Sequence, residues 1–145
     1  MSDPAICILY TQDADLARRV KAFLRVIAEV RHVTEGDRLA PVLQQTSPAV
    51  MLLDLRAKEA RELLEQTQRE WPDVLLIALG APRSDPLREA EQAGLYAAED
   101  LQLERRRLQA LVSRAFDYVR LQQEVRDLRA SSALVAALEP TRRLD

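Results

Sequence analysis

A single aspartate follows a run of apolar residues, in a place where its carboxylate could act as a nucleophile or as a metal ligand. The run is residues 50–53 (VMLL) and the aspartate is Asp54. Burying a carboxylate costs free energy unless it is hydrogen-bonded or hydrated. A second apolar run, residues 6–10, is followed by Thr11, Gln12 and Asp13.

Other kinds of site find little support in the residue types. His32 is the only histidine and Cys7 the only cysteine. A His/Cys metal cluster is therefore excluded, and His32 is expected to be a half-exposed strand residue rather than a catalytic one. The three glycines are widely spaced, which argues against a glycine-rich phosphate loop. The basic run at residues 105–107 is expected to be a solvated helical face.

The composition suits one globular domain with an appendage. The chain has 145 residues, of which 48% are hydrophobic and 30% charged, so it can bury a core. A net charge of −2 gives no sign of a nucleic-acid surface. No apolar run approaches the roughly 20 residues that span a bilayer, and no signal peptide is apparent. We expect a soluble, cytoplasmic protein without direct nucleic-acid or membrane partners.

Short apolar runs alternate along the chain with stretches of helical periodicity. The runs predict strands at residues 6–10, 29–34, 50–54, 74–80 and 95–98. Continuous apolar runs are typical of parallel strands that are covered on both faces. The pattern predicts an α/β fold with a parallel sheet and helices on both faces. Functional sites of such sheets lie at the carboxyl ends of the strands, where Asp54 would be central.

Local signals place the ends of several helices. Asp13 and Asp15 have the side chains preferred at a helix start. Residues 35–37 are expected to form a turn before a brief second helix, which the proline after Ser47 ends. Gly94 is a good residue for ending the fourth helix.

Three segments together resemble the receiver domains of response regulators. They are VMLLDLR, WPDVLLIALGA and AGLYAAED, and the resemblance covers roughly residues 5–118. It implies a flavodoxin-like (CheY-like) five-stranded parallel sheet. It also implies transfer of a phosphoryl group from a histidine kinase to an aspartate, and Asp54 matches that phosphoacceptor position.

The metal-binding part of the family pattern is degenerate. Receivers usually carry two adjacent acidic residues after the first strand, which help to hold magnesium. The matching residues here are Thr11 and Gln12, and the acidic Asp13 comes one place later. Thr11 and Gln12 offer only neutral oxygens, so the affinity for magnesium should fall. Asp13 and Asp54 are left as a weak metal site at most.

The switch positions of the family pattern also differ. A threonine or serine that normally ends the fourth strand is replaced by Gly80, and a lysine after the fifth strand is replaced at about Leu101. These groups normally hold the phosphoryl oxygens. Arg56 or Lys58 could replace the missing charge.

The last helix continues past the body that the resemblance covers. It shows a heptad seam with one polar position, Ser132. The seam consists of Tyr118, Leu121, Val125, Leu128, Ser132 and Val135. A second copy of the helix is the simplest partner for this stripe, although two to three heptads should pair weakly. Earlier apolar residues of the same helix are expected to dock it onto the sheet, namely Leu108, Leu111, Val112 and Ala115.

We therefore expect a receiver-like domain at 1–118, an extended helix or short coiled coil at 119–138, and a linker at 139–145 to a missing output module, since Pro140 ends the helix. The domain would be a non-enzymatic, cofactor-free homodimer in a bacterial two-component regulator, such as a transcription regulator, without normal aspartyl phosphorylation. A signalling partner or small ligand would shift the dimer arrangement. Two alternatives stay open: phosphorylation of Asp54 by a histidine kinase with Mg²⁺ bound, and a purely structural dimerisation module.

Overall fold

A computed structural model describes residues 5–138 of the chain. Its sheet is parallel throughout, in the order β2-β1-β3-β4-β5. The strands are β1 (Ile6–Tyr10), β2 (Glu29–Val33), β3 (Val50–Asp54), β4 (Leu75–Gly80) and β5 (Ala97–Asp100). The helices are α1 (Ala14–Leu24), α2 (Gly36–Thr46), α3 (Ala60–Glu70), α4 (Asp85–Gln92) and α5 (Arg105–Ala137). The predicted flavodoxin-like architecture is confirmed.

Two apolar clusters cover the two faces of the sheet. Side chains alternate between the faces along each strand, so neighbouring residues such as Leu52 and Leu53 belong to different clusters. One cluster joins the strands to α1 and α5, and the other joins them to α2 and α3. The central strand β3 is buried at every position, whereas the edge strand β2 alternates between exposed and half-buried positions until its last residue, Val33, which is buried. The more weakly buried second strand was expected from its sequence.

The second helix is longer than its sequence suggested. The expected turn at residues 35–37 is wrong, because Glu35 is the N-cap and Gly36 begins an eleven-residue helix. This helix contains Pro41, which removes one backbone donor. Burial of Leu39 and Leu43 against the sheet opposes that cost. Ser47 ends the helix in the left-handed conformation, just before the proline expected to end it.

The fifth strand begins two residues later than the apolar pattern suggested. Its register pairs Ala97 with Ile77, and the backbone N–H of Tyr96 already donates to Leu76. The last strand residues are charged, which an edge strand tolerates because one side of it faces solvent. Gly94, with φ of +79°, follows the C-cap of α4 and allows the chain to turn towards β5.

The fifth helix extends well past the sheet. Leu108, Val112 and Ala115 are buried, as expected for a docked first half. One contact with the body lies past the expected boundary at 118: Arg126 pairs with Asp73 at 2.8 Å. In the part of the chain that the structure describes, no helix combines the length and apolar character needed to cross a membrane. The expected linker at 139–145, with Pro140, lies outside the described residues.

Candidate functional site at the carboxyl ends of β1 and β3

The ends of β1 and β3 lie side by side and bring Thr11 against Asp54. The two strands are paired in register, with Tyr10 opposite Leu53. Asp54 is only 2% exposed and Thr11 is fully buried. The Thr11 hydroxyl donates to Asp54 Oδ2 at 2.6 Å. This short hydrogen bond to a carboxylate offsets part of the cost of burying Asp54.

Arg56 supplies the positive charge for this buried carboxylate. Its Nε donates to Asp54 Oδ1 at 3.1 Å and its Nη2 donates to Asp54 Oδ2 at 3.0 Å. The backbone N–H of Arg56 also donates to Asp54 Oδ1, at 2.9 Å. Both oxygens of Asp54 are thus held by donors. The side-on arrangement of two parallel bonds is the strong geometry for an arginine and a carboxylate.

The same guanidinium group also binds Asp13. Arg56 Nη2 lies 2.9 Å from Asp13 Oδ2, while Asp13 Oδ1 caps α1 by accepting the backbone N–H groups of Asp15 and Leu16. The hydrogen bond from Leu16, followed by that from Arg56, lowers the pKa of Asp13. Hydrogen bonds to Asp54 and Asp13 raise the pKa of Arg56. We call Thr11, Gln12, Asp13, Asp54 and Arg56 the Asp54 pocket.

Gln12 makes hydrogen bonds to the backbone of the loops around the pocket. Its Oε1 accepts the backbone N–H of Lys58 at 2.9 Å, and its Nε2 donates to the carbonyl of Thr34 at 2.8 Å. The hydroxyl of buried Tyr10 donates to the carbonyl of Lys58 at 2.9 Å. Two residues of β1 and its extension therefore hold the loop between β3 and α3 through its backbone. This fixed loop is what presents Arg56 to Asp54.

The pocket does not fit a magnesium ion. Within residues 5–138, no group of three or more His, Cys, Asp or Glu side chains is arranged to hold a metal. The two carboxylates, Asp13 and Asp54, already share the guanidinium group of Arg56. The Thr11 hydroxyl donates to Asp54 and the Gln12 amide oxygen accepts from Lys58. Magnesium requires a near-octahedral shell of oxygens, which this arrangement does not offer.

The two expected switch positions, Gly80 and Leu101, are apolar and closely packed. A Cβ atom added to Gly80 would lie 3.0 Å from Leu55 Cδ1 and 3.1 Å from Leu87 Cβ. The backbone N–H of Leu101 donates to the carbonyl of Gly80 at 2.9 Å, and the Leu101 side chain packs against the α1–α5 cluster. Neither residue presents a polar side chain. A hydroxyl-bearing residue at Gly80 would first have to displace Leu55 and Leu87.

Two features of the pocket were missed in the sequence. His32 Nε2 lies 2.7 Å from the carbonyl oxygen of Thr11, so the half-buried imidazole supports the backbone of the pocket. Arg56 was considered only as a substitute for the missing lysine, not as a bridge between Asp13 and Asp54. Its position two residues after a strand-ending aspartate is the available signal, because an aspartate can accept the backbone N–H two residues later.

The basic run at residues 105–107 is partly used inside the domain. The Arg105 guanidinium lies 5.5 Å from the ring centre of Phe23, and Arg107 Nε is 3.1 Å from the Glu99 carboxylate. Both contacts tie the start of α5 to neighbouring elements.

The predicted dimer seam is exposed along one side of α5. The exposed fractions are 45% for Tyr118, 57% for Leu121, 43% for Val125 and 67% for Leu128. Tyr118 also touches the body, since its ring centre lies 6.0 Å from that of Tyr96. The seam therefore starts at the edge of the body, at Tyr118.

The fold is that of response-regulator receiver domains. No protein-family model and no curated protein sequence matches the chain. Among solved structures, a response regulator receiver domain protein from Clostridium thermocellum has a TM-score of 0.73 and 14% identity, over 81% of this chain and 98% of that one. NtrX from Brucella abortus, in complex with ADP, has a TM-score of 0.78 and 20% identity, over 88% of this chain but only 29% of NtrX.

A third similar structure includes a coiled coil. It is a fusion protein that contains the trimeric coiled coil of yeast Spc42, with a TM-score of 0.73 and 13% identity. The match covers 99% of this chain and 100% of the fusion protein. At these identities the similarities establish the fold.

Proposed function

We propose that the chain is a regulatory domain of a bacterial two-component signalling protein. It acts in the cytoplasm and controls an attached output module, such as a transcription regulator, by associating with a second copy through α5. It does so without phosphorylation of Asp54 and without a cofactor. A protein partner or a small ligand would then shift the arrangement of the two copies.

The contacts of Asp54 are the main support for this proposal. Phosphoryl transfer to a carboxylate needs an oxygen that can approach phosphorus, and cations that neutralise the charge on the phosphoryl oxygens. Both oxygens of Asp54 are hydrogen-bonded to Arg56, and one also accepts from Thr11. Gly80 and Leu101 add no polar side chain nearby. The pocket is built to hold this carboxylate in place.

The exposed seam of α5 supports the second part of the proposal. Heptad spacing predicts that a parallel copy of the helix would place the same residues opposite each other. The Leu121, Val125 and Leu128 side chains are each more than two-fifths exposed. One of the similar structures contains a trimeric coiled coil, which is compatible with self-association through a long helix.

Light scattering on seam variants tests the proposal. We expect the wild-type protein to be a dimer without any phosphodonor, and Leu121→Glu/Leu128→Glu to be a monomer with an unchanged circular dichroism spectrum. Gln123→Glu adds a charge to an outer position of the same helix and should leave the dimer intact. Acetyl phosphate should change neither the mass nor the mobility on a phosphate-affinity gel.

Two results would contradict the proposal. A monomeric wild-type protein would remove self-association through α5. Labelling by a phosphodonor that disappears in Asp54→Ala and changes the dimer would support the alternative function, in which Asp54 accepts a phosphoryl group from a histidine kinase.

A further inference from the structure

One nitrogen atom bridges the two carboxylates of the Asp54 pocket. Nη2 of Arg56 lies 2.9 Å from Asp13 Oδ2 and 3.0 Å from Asp54 Oδ2. Arg56 is held through its backbone as well as its side chain, because its backbone N–H donates a hydrogen bond to Asp54 Oδ1. The loop that carries Arg56 is itself tied to β1 through Tyr10 and Gln12.

A cation is needed at this position. Asp54 is almost completely buried, and a buried carboxylate without a positive partner is strongly disfavoured. Asp13 brings a second negative charge close to the first. Two carboxylates that converge on one point, with water at hand, would otherwise attract a divalent cation. A guanidinium group and a hydrated metal ion cannot occupy the same space.

We propose that Arg56 is the resident cation of the Asp54 pocket, and that its guanidinium group excludes divalent cations from Asp13 and Asp54. The inference rests on the proposed function and deepens it, because it names the residue that keeps Asp54 from acting as a phosphoacceptor. Arg56 is a positioning residue that acts through Asp54. The carboxyl ends of β1 and β3 then keep one arrangement whether or not divalent cations are present.

The proposal predicts a metal site that appears only when Arg56 is removed. The ligands left would be the carboxylates of Asp13 and Asp54, completed by water. With two protein carboxylates, the dissociation constant should be on the order of a millimolar. Arg56 is about half exposed, its side chain being 49% accessible, so water and ions can reach the vacated position.

Manganese titrations followed by electron paramagnetic resonance of the free ion test the proposal. Arg56→Met keeps the aliphatic stem and removes the charge, and we expect it to bind Mn²⁺ at least about tenfold more tightly than the wild type. The gain should disappear in Arg56→Met/Asp54→Asn. Arg18→Met is the matched control, because Arg18 pairs with Asp15 on an exposed surface and should not affect Mn²⁺ binding.

Thermal unfolding with and without MnCl2 covers the case in which Arg56→Met is poorly folded. We expect Mn²⁺ to raise its unfolding temperature, or to restore the fold, while leaving the wild type unchanged. Arg56→Lys keeps a positive charge and should exclude Mn²⁺ as the wild type does. If magnesium replaces manganese, the variants should rank in the same order by the rise in their unfolding temperature.

Several outcomes would overturn the proposal. They are equal Mn²⁺ affinity in the wild type and Arg56→Met, tight binding by the wild type, and an Arg56→Met variant that stays unfolded with and without the metal. Failure of the proposed function is a separate result. A monomeric wild type would be detected by mass without any change in the order of Mn²⁺ affinities.

Discussion

The body of the domain buries its apolar side chains, whereas the distal segment exposes them. The distal segment consists of residues 119–138, the part of the last helix and its end that lies beyond the body. In the body, Leu52 and Ile77 are fully buried between the sheet and the helices α1 and α5. In the distal segment, Leu128 is 67% exposed and Leu134 is 61% exposed. Both regions show regular apolar spacing, but only the body contains the surface that covers it. Periodicity thus identifies a face to be buried without identifying what buries it.

The polar groups of the body show a further difference from the distal segment. Across residues 5–138, no buried side-chain nitrogen or oxygen is without a hydrogen-bond partner. The Asp54 pocket satisfies its charges internally, through Arg56 and Thr11. The body is therefore complete by itself, in its core and at the carboxyl ends of its strands, whereas the distal segment is not.

Matched leucine truncations should give the largest difference between the two regions. Leu52→Ala leaves a cavity in the core and should lower the free energy of unfolding by about 2–5 kcal/mol. Leu128→Ala should change it by less than about 0.5 kcal/mol in dilute, monomeric protein, while weakening self-association. Urea denaturation and light scattering separate the two effects. Equal losses of stability would show that the distal segment is part of the cooperative core.

Removal of the charge on Arg56 should have the next largest effect. Arg56→Met leaves the buried Asp54 carboxylate without its cation and should cost about 2 kcal/mol, less than for a fully buried pair because Arg56 is half exposed. Arg18→Met, at an exposed ion pair, should change stability by less than about 0.5 kcal/mol. Denaturation in metal-free buffer measures both. If Arg56→Met and Arg18→Met both change the free energy of unfolding by small and similar amounts, Arg56 contributes little to the stability of the pocket.

Adding a methyl group at Gly80 should lower the free energy of unfolding by less than removing the charge of Arg56 does. Its Cβ would lie 3.0 Å from Leu55 and 3.1 Å from Leu87, so Gly80→Ala should lose about 1 kcal/mol through overpacking. A double-mutant cycle with Leu55→Ala tests the cause, because Leu55 Cδ1 is the nearest atom to the added methyl group and the truncation removes it. If the two changes are additive, the loss does not come from this contact.

The ion pair between the distal segment and the body should contribute little to the free energy of unfolding. Arg126 and Asp73 are 52% and 72% exposed as side chains, although they lie 2.8 Å apart. Arg126→Ala should therefore leave the free energy of unfolding unchanged within the error of a denaturation experiment. Asp73→Ala should behave alike in denaturation experiments. A larger loss in both variants would extend the body beyond residue 118.

The smallest effect expected is a pH dependence at Asp13. Hydrogen bonds lower its pKa below the ordinary value of 3.8, so its contribution to stability is fully present above that value and is lost as the pH falls below it. The stability difference between the wild type and Asp13→Asn should therefore shrink as the pH falls from about 4 through the lowered pKa of Asp13. Urea midpoints at several pH values measure this. A difference that grows on acidification would contradict the assigned charge state.

Much of the molecule could be predicted from its sequence. Apolar runs gave the order of strands and helices, because a strand covered on both faces must be apolar throughout. The strand-ending position of Asp54 located the pocket, since parallel strands end at a common edge. Boundaries were less certain where local signals conflicted, as at Gly36 and Pro41 of α2, because burial of leucines against the sheet outweighed them.

The tertiary structure decided which groups meet at the pocket. Residue types along the chain show that Asp13, Asp54 and Arg56 are charged, but the sequence does not specify which carboxylate pairs with which cation. That depends on the register of β1 against β3 and on the loop held by Tyr10 and Gln12. Distances of about 3 Å between charges from different elements arise only when the chain is folded. The sequence alone determined the fold and the exposed stripe, and packing determined that Arg56 occupies the pocket.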